Sequence, residues 1–169
     1  MNQNDAGAYK SSGNAYMDKG EFNKAIEEYT QAIRLNPNDA MVYYRRGTSH
    51  YIISVLKKDS SSTDRAIADF DQAIRLNPDF AEAYSGRGGA YSGKGDYDRA
   101  IADFNKSIQL NPNDELAYQG RGYAYSLKGE YSRAIEDMET MLRINPNNPE
   151  AQEVRENIKM IRRMQEAEE

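Results

Sequence analysis

The sequence contains no cysteine and a single histidine, His50, among its 169 residues. Without cysteine the chain has no disulfide, no thiolate metal ligand and no thiol nucleophile. One histidine leaves little from which to build a zinc site or a serine–histidine pair. We therefore predict no catalytic residue, no metal, no cofactor and no enzymatic activity.

Basic residues and long apolar runs are also scarce. The chain has 27 acidic against 22 basic residues, which argues against nucleic acid and anionic membranes as partners. No apolar run approaches the roughly 18 residues that a membrane span needs. Residues 1–8 lack the pattern of an export signal, which favours a cytoplasmic location, although a signal already trimmed would leave no trace.

What the sequence does contain is an internal repeat. Four of the five prolines follow Leu-Asn or Ile-Asn, at intervals of 41, 34 and 34 residues. The same residue types recur at fixed distances from each proline: Gly13, Gly47, Gly88 and Gly122; Tyr9, Tyr43, Tyr84 and Tyr118; Ala25, Ala66, Ala100 and Ala134. The chain is therefore a tandem array of four copies.

Each copy reads as a pair of helices. Ala25, Ile26, Tyr29, Ala32 and Ile33 follow helical spacing, and Gly20, Gly95 and Gly129 mark the turn between the helices in three copies. A proline follows the second helix, where it prevents the helix from continuing. Because one helix pair cannot bury its own apolar face, neighbouring copies must stack to form a core.

The 34-residue period, with its aromatic, glycine, alanine and closing proline positions, resembles the tetratricopeptide repeat over residues 6–148. The resemblance implies an all-α, right-handed superhelical solenoid of helix–turn–helix hairpins. We predict one domain over residues 1–169, with copies at 6–39, 40–80, 81–114 and 115–148. A helix over 149–167, with Ala151, Val154, Ile158 and Ile161 on one face, would cap the array.

In this family the first helices of the copies line a concave groove that takes a peptide or a partner segment. Carried over to this chain, the resemblance implies a non-catalytic protein-interaction module, acting as an adaptor, assembly factor or co-chaperone-like scaffold. The candidate partner-binding residues are Lys10, Asn14, Met41, Tyr44, Arg45, Thr48, Tyr51, Ile52, Gln119 and Tyr123.

One subfamily, the receptors of chaperone tails, grips a peptide carboxylate with a set of lysine, asparagine and arginine residues. Lys10 and Asn14 match its first pair, whereas Arg45, Glu82 and Gly86 replace the other three. The sequence therefore does not predict a full carboxylate clamp. Two alternatives remain for the partial set: Lys10 and Arg45 hold an acidic group, or Lys10 is a solvated side chain.

Three tyrosines fall outside the repeat consensus and point inward in this register: Tyr44, Tyr51 and Tyr123. Exposed tyrosine supplies rigid contact area and is typical of binding surfaces. Packing among themselves across a narrow superhelix is the alternative interpretation.

Arginine and acidic residues also recur. Arg46, Arg87, Arg121 and Arg155 each stand eighteen residues after an acid, namely Glu28, Asp69, Asp103 and Asp137. The constant spacing predicts ion pairs between the second helix of one copy and the first helix of the next. A row of arginines that binds phosphate is the functional alternative.

Copy two is longer than the others, with about seven extra residues near 57–63. We predict a first helix extended through Ile52, Val55 and Leu56, then a serine-rich loop, with Thr63 or Asp64 capping the next helix. The apolar extension is either a docking or dimer contact or a cover for a neighbouring helix end. A self-associating scaffold that uses this extension or the capping helix is the alternative function.

Overall fold

The computed structural model describes residues 3–168, with side chains over 5–167. Within that range the chain forms nine α-helices and no strand. Their bounds are α1 Gln3–Asp18, α2 Phe22–Leu35, α3 Ala40–Lys57, α4 Ser60–Leu76, α5 Ala81–Gly93, α6 Tyr97–Leu110, α7 Glu115–Leu127, α8 Tyr131–Ile144 and α9 Ala151–Glu168.

The helices pack as consecutive hairpins, α1 with α2 through to α7 with α8, and each hairpin packs on the next. Gly20, Gly95 and Gly129 stand in the turns of three hairpins with φ values of 72°, 78° and 76°, a conformation in which a side chain is strained. The fold is the predicted all-α solenoid of helical hairpins. The exact division into copies stays a prediction.

The core lies between the helices of each hairpin. Each second helix places a fully buried alanine one turn before a large buried side chain: Ala25 before Tyr29, Ala66 before Phe70, Ala100 before Phe104, and Ala134 before Met138. The alanine lets the two helices of a hairpin approach closely, while the larger residue fills the space toward the next hairpin.

Helix α9 closes the array at its C-terminal end. Val154, Ile158 and Ile161 of α9 are buried against Met138 and Met141 of α8. In the other copies the position of Met138 holds tyrosine or phenylalanine. An unbranched methionine side chain adapts to a neighbour that does not belong to the repeat, so this junction follows from the sequence.

The extra residues of copy two lengthen both helices of its hairpin, so the prediction of a serine-rich loop was wrong. Helix α3 runs to Lys57 and α4 begins at Ser60, which leaves two residues between them. Asp59, rather than Thr63 or Asp64, caps α4: its carboxylate accepts hydrogen bonds from the Ser61 amide and the Ser62 hydroxyl. These bonds also lower the pKa of Asp59.

The arginines do form ion pairs, but not with the acids eighteen residues before them. Arg46 pairs with Asp69, Arg87 with Asp103, and Arg121 with Asp137, and in each case Nε and Nη2 bind both carboxylate oxygens within 2.9 Å. These pairs lie inside one hairpin. Asp137 is therefore not the partner of Arg155, and the predicted pairing was wrong.

The remaining guanidinium nitrogen of each of these three arginines binds the preceding hairpin. Nη1 of Arg46 donates to Thr30, that of Arg87 to Asp71, and that of Arg121 to Asn105, all sixteen residues upstream. On a helix, residues two apart point about 200° away from each other. The acid eighteen residues upstream therefore faces its own hairpin, and the residue sixteen upstream faces the next.

Candidate functional site

A groove of about 950 Å³ runs along the first helices of the last three hairpins and reaches the capping helix. Its walls come from α3, α5, α7 and α9, and α1 contributes no residue to them. The residues of these four helices that line it are Tyr44, Thr48, Tyr51, Glu82, Ser85, Gly86, Gly89, Ser92, Gly93, Leu116, Gln119, Gly120, Tyr123, Val154 and Asn157. This volume is within the range of known ligand sites.

The two central walls of the groove differ in bulk. Helix α7 presents Leu116 and Tyr123, which are 70% and 54% exposed. The neighbouring helix α5 presents Ser85, Gly89 and Gly93 instead, so it leaves space beside the apolar side chains. An exposed leucine and an exposed tyrosine facing an open cleft are typical of a surface that binds a partner.

The floor of the groove is made by aromatic rings of the second helices. A Cβ on Gly86 would lie 2.8 Å from the ring of Phe70, and a Cβ on Gly120 would overlap the ring of Phe104. Because these two positions have no side chain, the otherwise buried rings reach the groove. Glycine is therefore required here by close packing rather than by backbone conformation.

Tyr44 and Tyr51 line the groove but are half-buried. The ring of Tyr44 lies 5.0 Å from that of Phe80 and 6.0 Å from that of Phe70, and Tyr51 packs on the same cluster as Phe70. Burial raises the pKa of both hydroxyls. Tyr44 and Tyr51 therefore match the interpretation of internal packing, whereas the exposed Tyr123 is free to contact a partner.

Five of the ten predicted binding residues line this groove: Tyr44, Thr48, Tyr51, Gln119 and Tyr123. Gln119 also donates a hydrogen bond to Glu150, the last residue before α9. Their part in binding a partner remains a prediction.

The other five lie outside the lining. Lys10 forms an ion pair of 2.8 Å with Asp39, and the Asn14 side-chain oxygen accepts a hydrogen bond from the Tyr29 hydroxyl. Both residues of the partial clamp are thus engaged with the protein itself. Met41, Arg45 and Ile52 are half-buried, and Met41 packs against the cluster of Ala73, Phe80 and Ala83.

Several lining residues were not predicted. Phe70, Phe104, Met138 and Met141 come from second helices, and Val154 and Asn157 come from the cap. Gly86 and Gly120 were the sequence features that could have predicted the rings of Phe70 and Phe104 in the lining. A wall residue without a side chain lets the side chain packed behind it reach the groove.

The electrostatics of the groove are set by three charged lining residues, Glu82, Asp114 and Lys94. Asp114 caps α7 and accepts hydrogen bonds from the Ala117 amide and the Ser107 hydroxyl. Lys94 forms an ion pair of 2.5 Å with Asp64 of the preceding hairpin. Within the described residues, no group of three or more acidic, histidine or cysteine side chains could hold a metal ion.

Stacked helical hairpins with a groove along their first helices define an all-α solenoid, a class of protein-interaction modules. Models of the TPR repeat or tetratricopeptide repeat match residues 13–51, 56–115 and 91–159. The chain belongs to the tetratricopeptide repeat family. None of the helices in the part that the structure describes is long and apolar enough to cross a membrane.

Relatives of known structure share the fold over most of the chain. A crystal structure of MamA is 31% identical, with a TM-score of 0.75, and the match covers 85% of this chain and 80% of that one. The second TPR domain of human RPAP3, solved in complex with the HSP70 peptide SGPTIEEVD, is 26% identical, with a TM-score of 0.65. That match covers 71% of this chain and 94% of that one.

A curated relative matches over a shorter segment. The Hsp70-Hsp90 organising protein of Plasmodium falciparum (isolate 3D7) is 38% identical over 42 residues, or 25% of this chain. The match spans 7% of the length of that relative.

Proposed function

We propose that this protein is a non-catalytic adaptor or assembly factor that binds a segment of a partner protein in the groove over α3, α5, α7 and α9. The exposed pair Leu116 and Tyr123, facing the open side of α5, is the observation that carries the proposal. Two large apolar side chains gain free energy when a partner covers them. A cytoplasmic location, which the sequence predicts, is part of the same proposal.

The relatives support a peptide as the bound species. The RPAP3 domain was solved with an HSP70 peptide, and the curated relative is named an Hsp70-Hsp90 organising protein. In this chain, however, the two side chains that match a carboxylate clamp are bound to Asp39 and Tyr29. The proposal therefore extends to peptide binding in general and not to a chaperone tail.

Selection from a displayed library of random peptides tests the proposal. The immobilised protein should enrich peptides that no longer bind when Leu116 and Tyr123 are both replaced by alanine. Leu56 and Tyr9 provide a matched control: Leu56 is as exposed as Leu116, at 70%, Tyr9 is 37% exposed, and neither lines the groove. Equal binding by both double variants, or no enriched peptide, would contradict the proposal.

Self-association is the second candidate, because two apolar surfaces lie outside the groove. Val55 and Leu56 at the end of α3 are 60% and 70% exposed, and Met160 and Met164 of α9 are 54% and 44% exposed. Light scattering over a series of protein concentrations separates the two candidates. A constant monomer mass removes self-association, and a mass that rises with concentration and falls in Leu56→Ser or Met160→Ser supports it.

A further inference from the structure

One end of the groove carries a negative charge that the protein leaves unpaired. Glu82 is exposed in the first turn of α5 and lines the groove. It has no hydrogen bond or ion pair with any residue that the structure describes. Asp114, the N-cap residue of α7, adds a second negative charge to the lining.

Three of the cations near the groove are already neutralised, whereas Arg45, next to Tyr44 on α3 and outside the lining, has no ion pair among the described residues. Among the described residues that form its lining, Lys94 is the one cation, and it pairs with Asp64. Lys10 pairs with Asp39. Arg87 lies on the other side of α5, where Asp103 and Asp71 hold it. An acidic segment in the groove would therefore meet Glu82, and no unpaired cation of the described lining would offset that charge.

The charges of Glu82 and Asp114 both act on the hydroxyl of Tyr44. Burial is the largest cause that raises the pKa of its hydroxyl, and Glu82 and Asp114 raise that pKa further, while Thr48 and Arg45 lower it. Glu82, Asp114 and Tyr44 thus act on one region of the groove. A cation placed there would be attracted by two carboxylates and the Tyr44 ring and repelled by Arg45, so the negative charges outnumber the positive one.

The geometry points to a partner segment that combines an apolar and a basic residue: we propose that a bulky apolar side chain covers Leu116 and Tyr123 and that a lysine or arginine beside it pairs with Glu82. This inference rests on the proposed function and names the chemistry of the partner. The apolar contact supplies affinity, and the charge selects basic over acidic segments, since a like charge in the groove is unfavourable.

Peptides enriched by the wild-type protein and dependent on Leu116 and Tyr123 provide the probe. We expect lysine and arginine to exceed aspartate and glutamate among them, compared with the unselected library. For the tightest such peptide, Glu82→Gln should weaken binding about twofold to fivefold, the range for an exposed ion pair. The weakening should shrink as salt is added.

Glu27→Gln is the matched control, because Glu27 is an exposed glutamate of α2 that does not line the groove. It should leave the affinity unchanged. Selection on Glu82→Lys should shift the enriched peptides toward acidic residues. Melting curves followed by circular dichroism show that each variant is folded before its binding is compared.

The outcomes separate this inference from the function on which it rests. Groove-dependent peptides that lack basic residues, or that bind Glu82→Gln as tightly as the wild type, would overturn the basic partner and leave the interaction module intact. A library that yields no groove-dependent peptide would overturn both. A groove filled by a second copy of the chain, shown by a concentration-dependent mass that Tyr123→Ala abolishes, would also overturn the basic partner.

Discussion

Arg46, Arg87 and Arg121 each link three helices. Arg87 binds Asp103 of its own hairpin through two nitrogens and Asp71 of the preceding hairpin through the third. Its side chain is 20% exposed, and that of Asp103 is 10% exposed. A planar guanidinium suits this arrangement, since its donors are fixed in one plane and can satisfy two partners at once.

Loss of one such acid should therefore destabilise the array. We expect Asp103→Ala to lower the free energy of unfolding by about 2 kcal/mol, because it leaves a largely buried guanidinium with only Asp71 as its anion. Urea unfolding measures the change. Asp98→Ala, which removes the 84% exposed partner of Lys128, should cost less than about 0.5 kcal/mol. Equal costs for the two variants would contradict the structural role of the arginines.

His50 makes stability depend on pH. It is buried at a position where other copies have tyrosine, and burial lowers its pKa. Arg46 and Arg65 lower that pKa further, while Asp69 raises it. The unfolded chain therefore binds the proton more readily than the folded chain. The free energy of unfolding should fall as the pH drops below the ordinary histidine value of about 6.5, through the lower folded pKa.

His50→Gln tests this dependence, because glutamine stays neutral. We expect the difference in free energy of unfolding between wild type and variant to be constant above about pH 7.5 and to shift in favour of the variant toward pH 5.5. Denaturant titrations at several pH values measure that difference. A difference that does not change with pH would show that the histidine is accommodated equally well in both charge states.

Sequence spacing identified the arginines but could not identify their partners. In a tandem array, an acid at a fixed place in each copy keeps a constant distance to an arginine of the next copy, whether or not the two touch. The constant separation of eighteen residues followed from the repeat itself. Asp69 and Asp71 point in different directions from α4. Which of them meets Arg46 and which meets Arg87 depends on how the helices pack.

At the scale of single helices, the longer second hairpin shows why a serine-rich segment is ambiguous. Serine and aspartate are favoured at helix starts as well as in loops, because their side chains bond nearby backbone amides. The segment after Asp59 uses this property to begin α4 rather than to form a loop. The extension of α3 through Leu56 was predicted from the apolar run at 50–56, and the helix does run to Lys57.

The close approach of α7 to the preceding hairpin depends on a glycine. Gly120→Ala would place a methyl group into the ring of Phe104, which is 2% exposed, so the ring or α7 must shift. We expect a loss of about 1–3 kcal/mol in the free energy of unfolding. Gly7→Ala is the control: this α1 position has no neighbouring atom within 4 Å, and alanine should stabilise the helix by about 0.5–1 kcal/mol. Thermal melts show whether each variant is less or more stable than the wild type.

At the scale of the whole molecule, stability comes from contacts between neighbours along the array. Every buried cluster joins consecutive helices, and the last one joins α8 to α9. Removal of residues 149–169 should expose Met138 and Met141 and cost about 2 kcal/mol or more. Met160→Ser, on the outward face of α9, should leave the melting temperature nearly unchanged. A truncated chain as stable as the full one would show that α9 does not act as a cap.

The solenoid could be predicted from the sequence almost completely, whereas the groove could be predicted only in part. A repeat with glycine, alanine and aromatic residues at fixed places determines which faces stack, and stacking determines the fold. The lining of the groove depends also on which second-helix side chains reach through the gaps between first helices. Phe70 and Phe104 do so because Gly86 and Gly120 lack side chains, and this relation joins different helices.

The rings of Phe70 and Phe104 belong both to the floor of the groove and to the joints between hairpins. A segment seated in the groove would contact rings that also pack between neighbouring hairpins. We therefore expect occupancy of the groove to be coupled to the angle between those hairpins. Pulling the two ends of the chain apart should release the segment, and a bound segment should make the chain stiffer to stretch.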